Sequence, residues 1–132
     1  MFEEITAFLP RLKNDSYGKW IYGEKTEDGT NVFPYVEYTP TVQEFTEAFY
    51  NFAVSHKELG IMRCEEILDE AEIDLNELTL DVLFQLDGRT VASIIMVIIR
   101  SERFCTGSLL SYLKDESIQQ CLERLKELDE ES

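Results

Sequence analysis

Apolar residues recur at spacings of three and four along most of the chain, a pattern typical of helices that bury one face. One such stripe covers residues 2–12, where Pro10 is expected to kink or end the helix. A second, aromatic stripe covers residues 42–53. Its start is marked by two overlapping signals, either Pro40 at the first helical position or a capping box that begins at Thr41.

The segment between these two stripes has a different pattern, with aromatic and β-branched runs on either side of Asp28 and Gly29. Such runs around an Asp-Gly pair predict a β-hairpin. Pro34 lacks an amide donor, so the second strand is expected to be an edge strand or to be broken there. The large aromatic side chains of the hairpin are expected to pack into the core against the first two helices, with an exposed binding surface as the alternative. They are Trp20, Tyr22, Tyr35 and Tyr38.

The longest apolar stretch lies between Thr90 and Phe104, where nearly every face of a helix would be hydrophobic. Such a helix is buried against several neighbours, so we expect a central helix with Ile95 in the core. Asp87 is expected to cap its N-terminus, and Gly107 stands where a left-handed residue ends a helix. A final helix is predicted from Ser117, with its last four residues frayed. Together these elements predict a mainly α single domain of residues 1–132, with a small N-terminal β-hairpin packed on it.

The composition makes this domain strongly acidic. The chain has 132 residues, 44% of them hydrophobic, and a formal net charge of -15 at pH 7. Because phosphate contacts are made chiefly by Lys and Arg, this charge argues against direct binding of nucleic acid. Anionic membrane surfaces are disfavoured for the same reason. A basic protein partner, a divalent cation and simple solubility all stay open.

Cysteine usage indicates a reducing compartment. Cys64, Cys105 and Cys121 are odd in number and unevenly spaced, which is typical of free thiols rather than of a disulfide framework. The N-terminal segment is acidic where a secretory signal carries lysine or arginine. The apolar run over residues 91–99 is shorter than the ~20 residues that cross a bilayer. We therefore expect a cytoplasmic protein.

The acidic charge is concentrated in one segment, since residues 58–87 hold ten Asp or Glu side chains and a single basic one. On a helix, Glu65 would stack with Asp69, and Glu66 with Glu70, so that like charges repel unless a cation or basic partner neutralises them. The functional interpretation is a docking surface or a weak Mg²⁺ or Ca²⁺ site, and the structural one is a solvated face. The spacing of an EF-hand loop is absent, and no cofactor is expected.

Three charged residues, Arg100, Glu102 and Arg103, close the predicted central helix. Arginine binds phosphate or carboxylate through paired hydrogen bonds, which makes Arg100 and Arg103 candidate binding residues. An internal network of arginine and carboxylate is the favoured alternative, because acids are plentiful. His56 is the only histidine, so sites that need two histidines are excluded. The chain contains no nucleophile motif and no glycine-rich phosphate loop.

The stretch from Ile99 to Gly107, which contains an R-x-x-R-F-x-x-G signature, carries a family resemblance. This stretch resembles an uncharacterised bacterial family, a domain of unknown function found mainly in Firmicutes. The resemblance extends to Leu109-Leu110, residues 122–125 and residues 34–38. The resemblance covers most of the chain. It implies a bacterial, cytoplasmic, helical protein without an established activity.

Three classes of function follow from these observations. The favoured one is a non-enzymatic protein-interaction module that binds a basic protein partner through its acidic surface. A specialised form is an inhibitor that mimics DNA and blocks a nucleic-acid-binding protein. The second class is an enzyme of unfamiliar type that uses carboxylates with Arg100 or Arg103, and the third is a metal-dependent or small-ligand sensor. The sequence indicates no oligomeric state.

Overall fold

The centre of the fold is a helix, Gly88–Ser101, whose residues from Thr90 to Met96 are all buried. The computed structural model describes residues 1–14, 16–22 and 34–131. Asp87 caps this helix as predicted, because its Oδ1 accepts a hydrogen bond of 2.8 Å from the Thr90 amide. Ile95 is fully buried, also as predicted. The helix begins two residues before the predicted start and ends three residues before the predicted Phe104.

The helices, including this central one, are numbered in chain order. They are α1 (Glu3–Thr6), α2 (Leu9–Asn14), α3 (Pro40–Ser55), α4 (Cys64–Glu70), α5 (Leu80–Leu83), α6 (Gly88–Ser101, the central helix), α7 (Ser108–Lys114) and α8 (Ser117–Glu131). Two 3₁₀ turns, Lys57–Leu59 and Ile61–Arg63, connect α3 to α4. Helices α4, α7 and α8 pack against α6, so the buried faces of the second half of the chain meet on one helix.

Proline sets the boundaries of the N-terminal helices. The first predicted helix divides into α1 and α2, and Pro10 is the second residue of α2, where its missing amide breaks no helical hydrogen bond. Helix α3 starts with Pro40 at its first position, which resolves the two overlapping start signals in favour of proline. Its stripe of Phe45, Phe49 and Phe52 is fully buried.

The predicted hairpin is present as an antiparallel pair, β1 (Gly18–Ile21) and β2 (Tyr35–Tyr38). Trp20 lies opposite Val36 in this register, and β2 begins directly after Pro34, as expected for a residue that cannot donate to a strand. The predicted Asp-Gly turn lies outside the described residues. The expectation that the hairpin aromatics are buried in the core is wrong for three of the four: the exposed fractions are 38% for Trp20, 72% for Tyr22 and 48% for Tyr35.

The C-terminal end of α8 also differs from the prediction. Residues 129–131 are helical instead of frayed. Asp129 holds this end in place, because its Oδ2 accepts a hydrogen bond of 2.8 Å from the Phe2 amide and its Oδ1 lies 3.2 Å from the Met1 nitrogen. Over the described ranges, each helix is too short or too polar to cross a membrane.

Candidate functional site

Helix α4 presents the predicted acidic face to solvent. Cys64, Ile67 and Leu68 point into the core, and the spacing of the remaining positions leaves the carboxylates outside. All four predicted site residues of this helix are exposed: Glu65, Glu66, Asp69 and Glu70. The helix therefore has the amphipathic arrangement that the sequence predicts.

Two of these four carboxylates form ion pairs with arginine. Glu65 Oε2 lies 3.3 Å from an Arg100 nitrogen, and Glu66 Oε2 lies 2.9 Å from Arg63. The Glu65 carboxylate accepts a hydrogen bond from the backbone amide of the same residue, and this bond lowers the pKa of Glu65. Cys64 and Arg100 contribute smaller shifts in the same direction. Both glutamates are about two-thirds exposed, so these pairs neutralise charge without adding much stability.

Beyond them lies a run of exposed carboxylates without a counter-ion. No basic residue occurs between Arg63 and Arg89. The members of the run are exposed and form no ion pair with any described residue. We call them the acidic strip: Asp69, Glu70, Glu72, Asp74, Glu77 and Asp81. The strip starts in α4, follows the connecting segment and ends in α5.

Arg100 is held by the start of α4. Its guanidinium nitrogen donates to Cys64 Sγ at 3.2 Å and to Glu65 at 3.3 Å, and its side chain is 19% exposed. Burial, together with the hydrogen bond to Glu65, raises the pKa of the Cys64 thiol to about 11, so Cys64 stays protonated at neutral pH. Arg100 thus pairs with a carboxylate as predicted, but the pair lies at the surface rather than inside the protein, because the Glu65 side chain is 65% exposed.

Glu102 has a role that the sequence analysis did not predict. Its carboxylate accepts hydrogen bonds from the Gly107 amide at 2.9 and 3.1 Å and from the Leu109 amide at 3.0 Å. The Tyr38 hydroxyl donates to it at 2.6 Å, and the same hydroxyl accepts from the Leu110 amide at 3.1 Å. Glu102 therefore caps the start of α7 and joins it to the hairpin. One signal in the sequence could have indicated this capping role. Glu102 stands five residues before Gly107, and α7 begins at Ser108.

Arg103 follows Arg100 by one turn, and its amide donates to the Arg100 carbonyl at 3.1 Å. It is exposed, in the turn after α6, and it forms no ion pair with any residue of the described ranges. Arg100, Glu102 and Arg103 line none of four prominent clefts on the described surface. The predicted arginine pair is therefore not part of any of these four clefts.

A broad cleft of about 910 Å³ lies between α1, α2 and α8. Its side chains include Lys13, which forms an ion pair with Glu123 across the cleft wall. A much smaller cleft of about 110 Å³ brings Glu66 and Glu70 together with Arg63 and Arg89, although Glu70 forms no ion pair with either arginine. Within the described ranges, no three His, Cys, Asp or Glu side chains are grouped closely enough to hold a metal ion.

The sequence analysis also missed a second feature, a mainly apolar pocket of about 130 Å³ beside the acidic strip. Leu75, Leu78 and Leu80 form its outer wall. The signal in the sequence was the regular interleaving of these leucines with acidic residues over positions 74–81.

Comparison with known proteins yields one match. The model of a protein family described as a family of unknown function, DUF6508, matches residues 1–131. No curated protein and no solved structure matches the chain.

Proposed function

The chain belongs to DUF6508, a family of unknown function, and from this premise we propose that it is a non-enzymatic protein-interaction module. In this proposal it binds a basic protein partner through the acidic strip. The single observation that supports the proposal most is that, within residues 1–14, 16–22 and 34–131, no carboxylate of the strip from Asp69 to Asp81 forms an ion pair. Surfaces of one charge sign steer oppositely charged partners and raise their association rates.

The charges around the strip support the same conclusion. Glu65 and Glu66 already have arginine partners, so they form the neutralised border of the surface. Asp69 and Glu70 begin the part that a basic partner would neutralise. The predicted docking surface of α4 is therefore retained in the proposal and extended along the chain to Asp81.

The arrangement of the arginines weighs against the enzyme alternative. Arg100 is occupied by Cys64 and Glu65, and Glu102 by the start of α7. A carboxylate and arginine mechanism needs such groups free at a substrate site. We also propose the bacterial origin and cytoplasmic location that the sequence resemblance and the free thiols imply. A nucleic-acid-binding protein, blocked by DNA mimicry, is the narrower form of the basic partner.

Affinity capture from a bacterial lysate at low and high salt tests the proposal. The test variant combines Asp69→Lys with Glu70→Lys. Its matched control combines Glu4→Lys with Glu47→Lys, which changes the net charge equally at exposed positions outside the strip. Lysine near the C-terminal end of α4 also favours the helix dipole, so the test variant should fold.

We expect the parent protein to retain a basic partner that high salt releases. The association rate of that partner should fall several-fold for the test variant, and much less for the control. If no basic protein is captured, or if both variants lose binding equally, the strip is not the docking surface. Release of the captured protein by added DNA would identify the narrower, DNA-mimicking form.

A further inference from the structure

The acidic strip borders an apolar pocket, and the two together carry an inference about the partner. The pocket has a volume of about 130 Å³. One wall comes from the segment between α4 and α5 and from α5 itself, and the opposite wall from α6, α7 and α8. The apolar lining includes Leu75, Leu78 and Leu80 on the first wall and Ile98, Tyr112 and Cys121 on the second, and Thr79, Ser117 and Gln120 add polar groups.

The pocket reaches the surface. Leu75 and Leu78 are partly exposed and Leu80 is 51% exposed, whereas Cys121 at the inner wall is buried. The neighbouring Val82 is 42% exposed, so apolar surface continues beyond the rim. Exposed apolar side chains around a pocket mark a place where a partner excludes water.

The size of the pocket defines what it holds. An apolar cavity of about 150 Å³ lined by Leu, Ile and Phe binds benzene, so about 130 Å³ accommodates one leucine or one phenyl ring. Three members of the acidic strip, Asp74, Glu77 and Asp81, stand between and beside the wall leucines in the chain and are exposed. A side chain that enters the pocket is therefore flanked by carboxylates that form no ion pair in the part of the chain that the structure describes.

We infer that the pocket receives one large apolar side chain of the partner, from a segment in which lysines or arginines flank that residue. The inference rests on the proposed function and adds the chemistry of the partner's recognition element. An apolar anchor supplies affinity by leaving water, whereas the flanking charges supply orientation and association rate. The strip alone would not distinguish such a segment from other basic peptides, and the pocket alone would not distinguish it from other apolar segments.

Two capped synthetic peptides serve as probes, one with a single leucine between pairs of lysines and the other with alanine in place of the leucine. Binding is followed by the NMR signals of the Ile98 and Leu80 methyl groups. Burying the extra carbons of leucine is worth about 0.8 kcal/mol per methylene, so the leucine peptide should bind about tenfold more tightly or better. Its signals should shift at the pocket, and those for the alanine peptide should not.

Two protein variants separate the roles of pocket and charge. Cys121→Met fills the pocket and should remove the preference for leucine while leaving the alanine peptide's affinity unchanged. Glu77→Gln with Asp81→Asn should weaken both peptides by the same factor, unlike the control Glu4→Gln with Glu47→Gln. Because the comparison of peptides uses the parent protein, a Cys121→Met variant that failed to fold would not affect it.

Equal affinity of the parent protein for the two peptides would overturn the inference and leave the proposed function standing, since the strip would still bind basic peptides. Methyl shifts remote from the pocket, with a preference for leucine that persists in Cys121→Met, would also overturn it. Failure of the proposed function appears separately, as an absence of any basic partner in the capture experiment.

Discussion

Replacing Glu102 by alanine should destabilise the protein more than any other change at an exposed or half-buried carboxylate. The carboxylate accepts hydrogen bonds from the Gly107 amide, the Leu109 amide and the Tyr38 hydroxyl. Truncation leaves these three donors without their acceptor in a half-buried site. At about 1.5 kcal/mol for each hydrogen bond to the carboxylate, with water replacing part of the loss, we expect a loss of about 2–4 kcal/mol.

Urea unfolding followed by far-ultraviolet circular dichroism measures this loss. With an m value of about 2 kcal/mol per molar, the unfolding midpoint of Glu102→Ala should fall by about 1–2 M. The neighbouring Arg103→Ala is the matched control, because Arg103 is exposed and unpaired within the described ranges, and it should change stability by less than about 0.5 kcal/mol. Equal midpoints for the two variants would refute the capping role.

Tyr38 gives the same cluster a dependence on pH. Burial and the hydrogen bond to Glu102 raise the pKa of the Tyr38 phenol above its ordinary value, which is about 10. The pKa of Tyr38 is therefore higher in the folded state than in the unfolded state. The stabilisation that this phenol contributes is complete below about pH 10 and is lost as the pH rises through the folded-state pKa. Tyr38→Phe should therefore unfold more readily near neutral pH, by about 1 kcal/mol, and lose less stability on going to alkaline pH. If the stability of the parent protein and that of Tyr38→Phe declined in parallel as the pH rises, this assignment would be contradicted.

Three further predictions follow from single positions. Gly107→Ala should cost about 1–3 kcal/mol, because φ is +90° there and a Cβ atom would lie 2.3 Å from Trp20. Gly60→Ala, with φ of +66° and only an ordinary contact of 3.8 Å with Arg89, should lose only about 1 kcal/mol for its backbone, and equal losses would show that the contact with Trp20 is unimportant. The native protein should react with one equivalent of a thiol reagent, at the exposed Cys105, because its two other thiols are buried, and rapid reaction of three equivalents would contradict the packing. Ile95→Asp should abolish cooperative unfolding by burying an unpaired charge, and a soluble variant that melts like the parent would show that α6 is not central.

The sequence predicted those elements whose signals are local. Helix α6 could be predicted because its apolar run is long and Asp87 supplies a cap next to it. Helix α3 could be predicted because proline and an aromatic stripe agree. The end of α6 could not be predicted from the sequence. The helix ends before Glu102, whose carboxylate accepts hydrogen bonds from amides several residues later. Phe104, expected as the last helical residue, is instead 90% exposed.

In the candidate site too, the sequence predicted the features that have local signals and missed those that depend on distant residues. Exposure of the α4 carboxylates follows from helical periodicity, so it was predictable. The partners of Arg100 and Glu102 were not, because Glu65 and Tyr38 are 35 and 64 residues away in the chain and only the tertiary fold brings them together. The hairpin aromatics were misjudged because size alone indicates burial, whereas a two-stranded sheet covers little surface.

The position of Trp20 gives the molecule a built-in optical reporter. It is the only tryptophan in the chain, and its ring lies on Gly107, between the hairpin and the start of α7. Its fluorescence emission therefore monitors undocking of the hairpin, whereas circular dichroism monitors the helices. Where the two signals change at different temperatures, the hairpin is a separate cooperative unit that opens before the helical core.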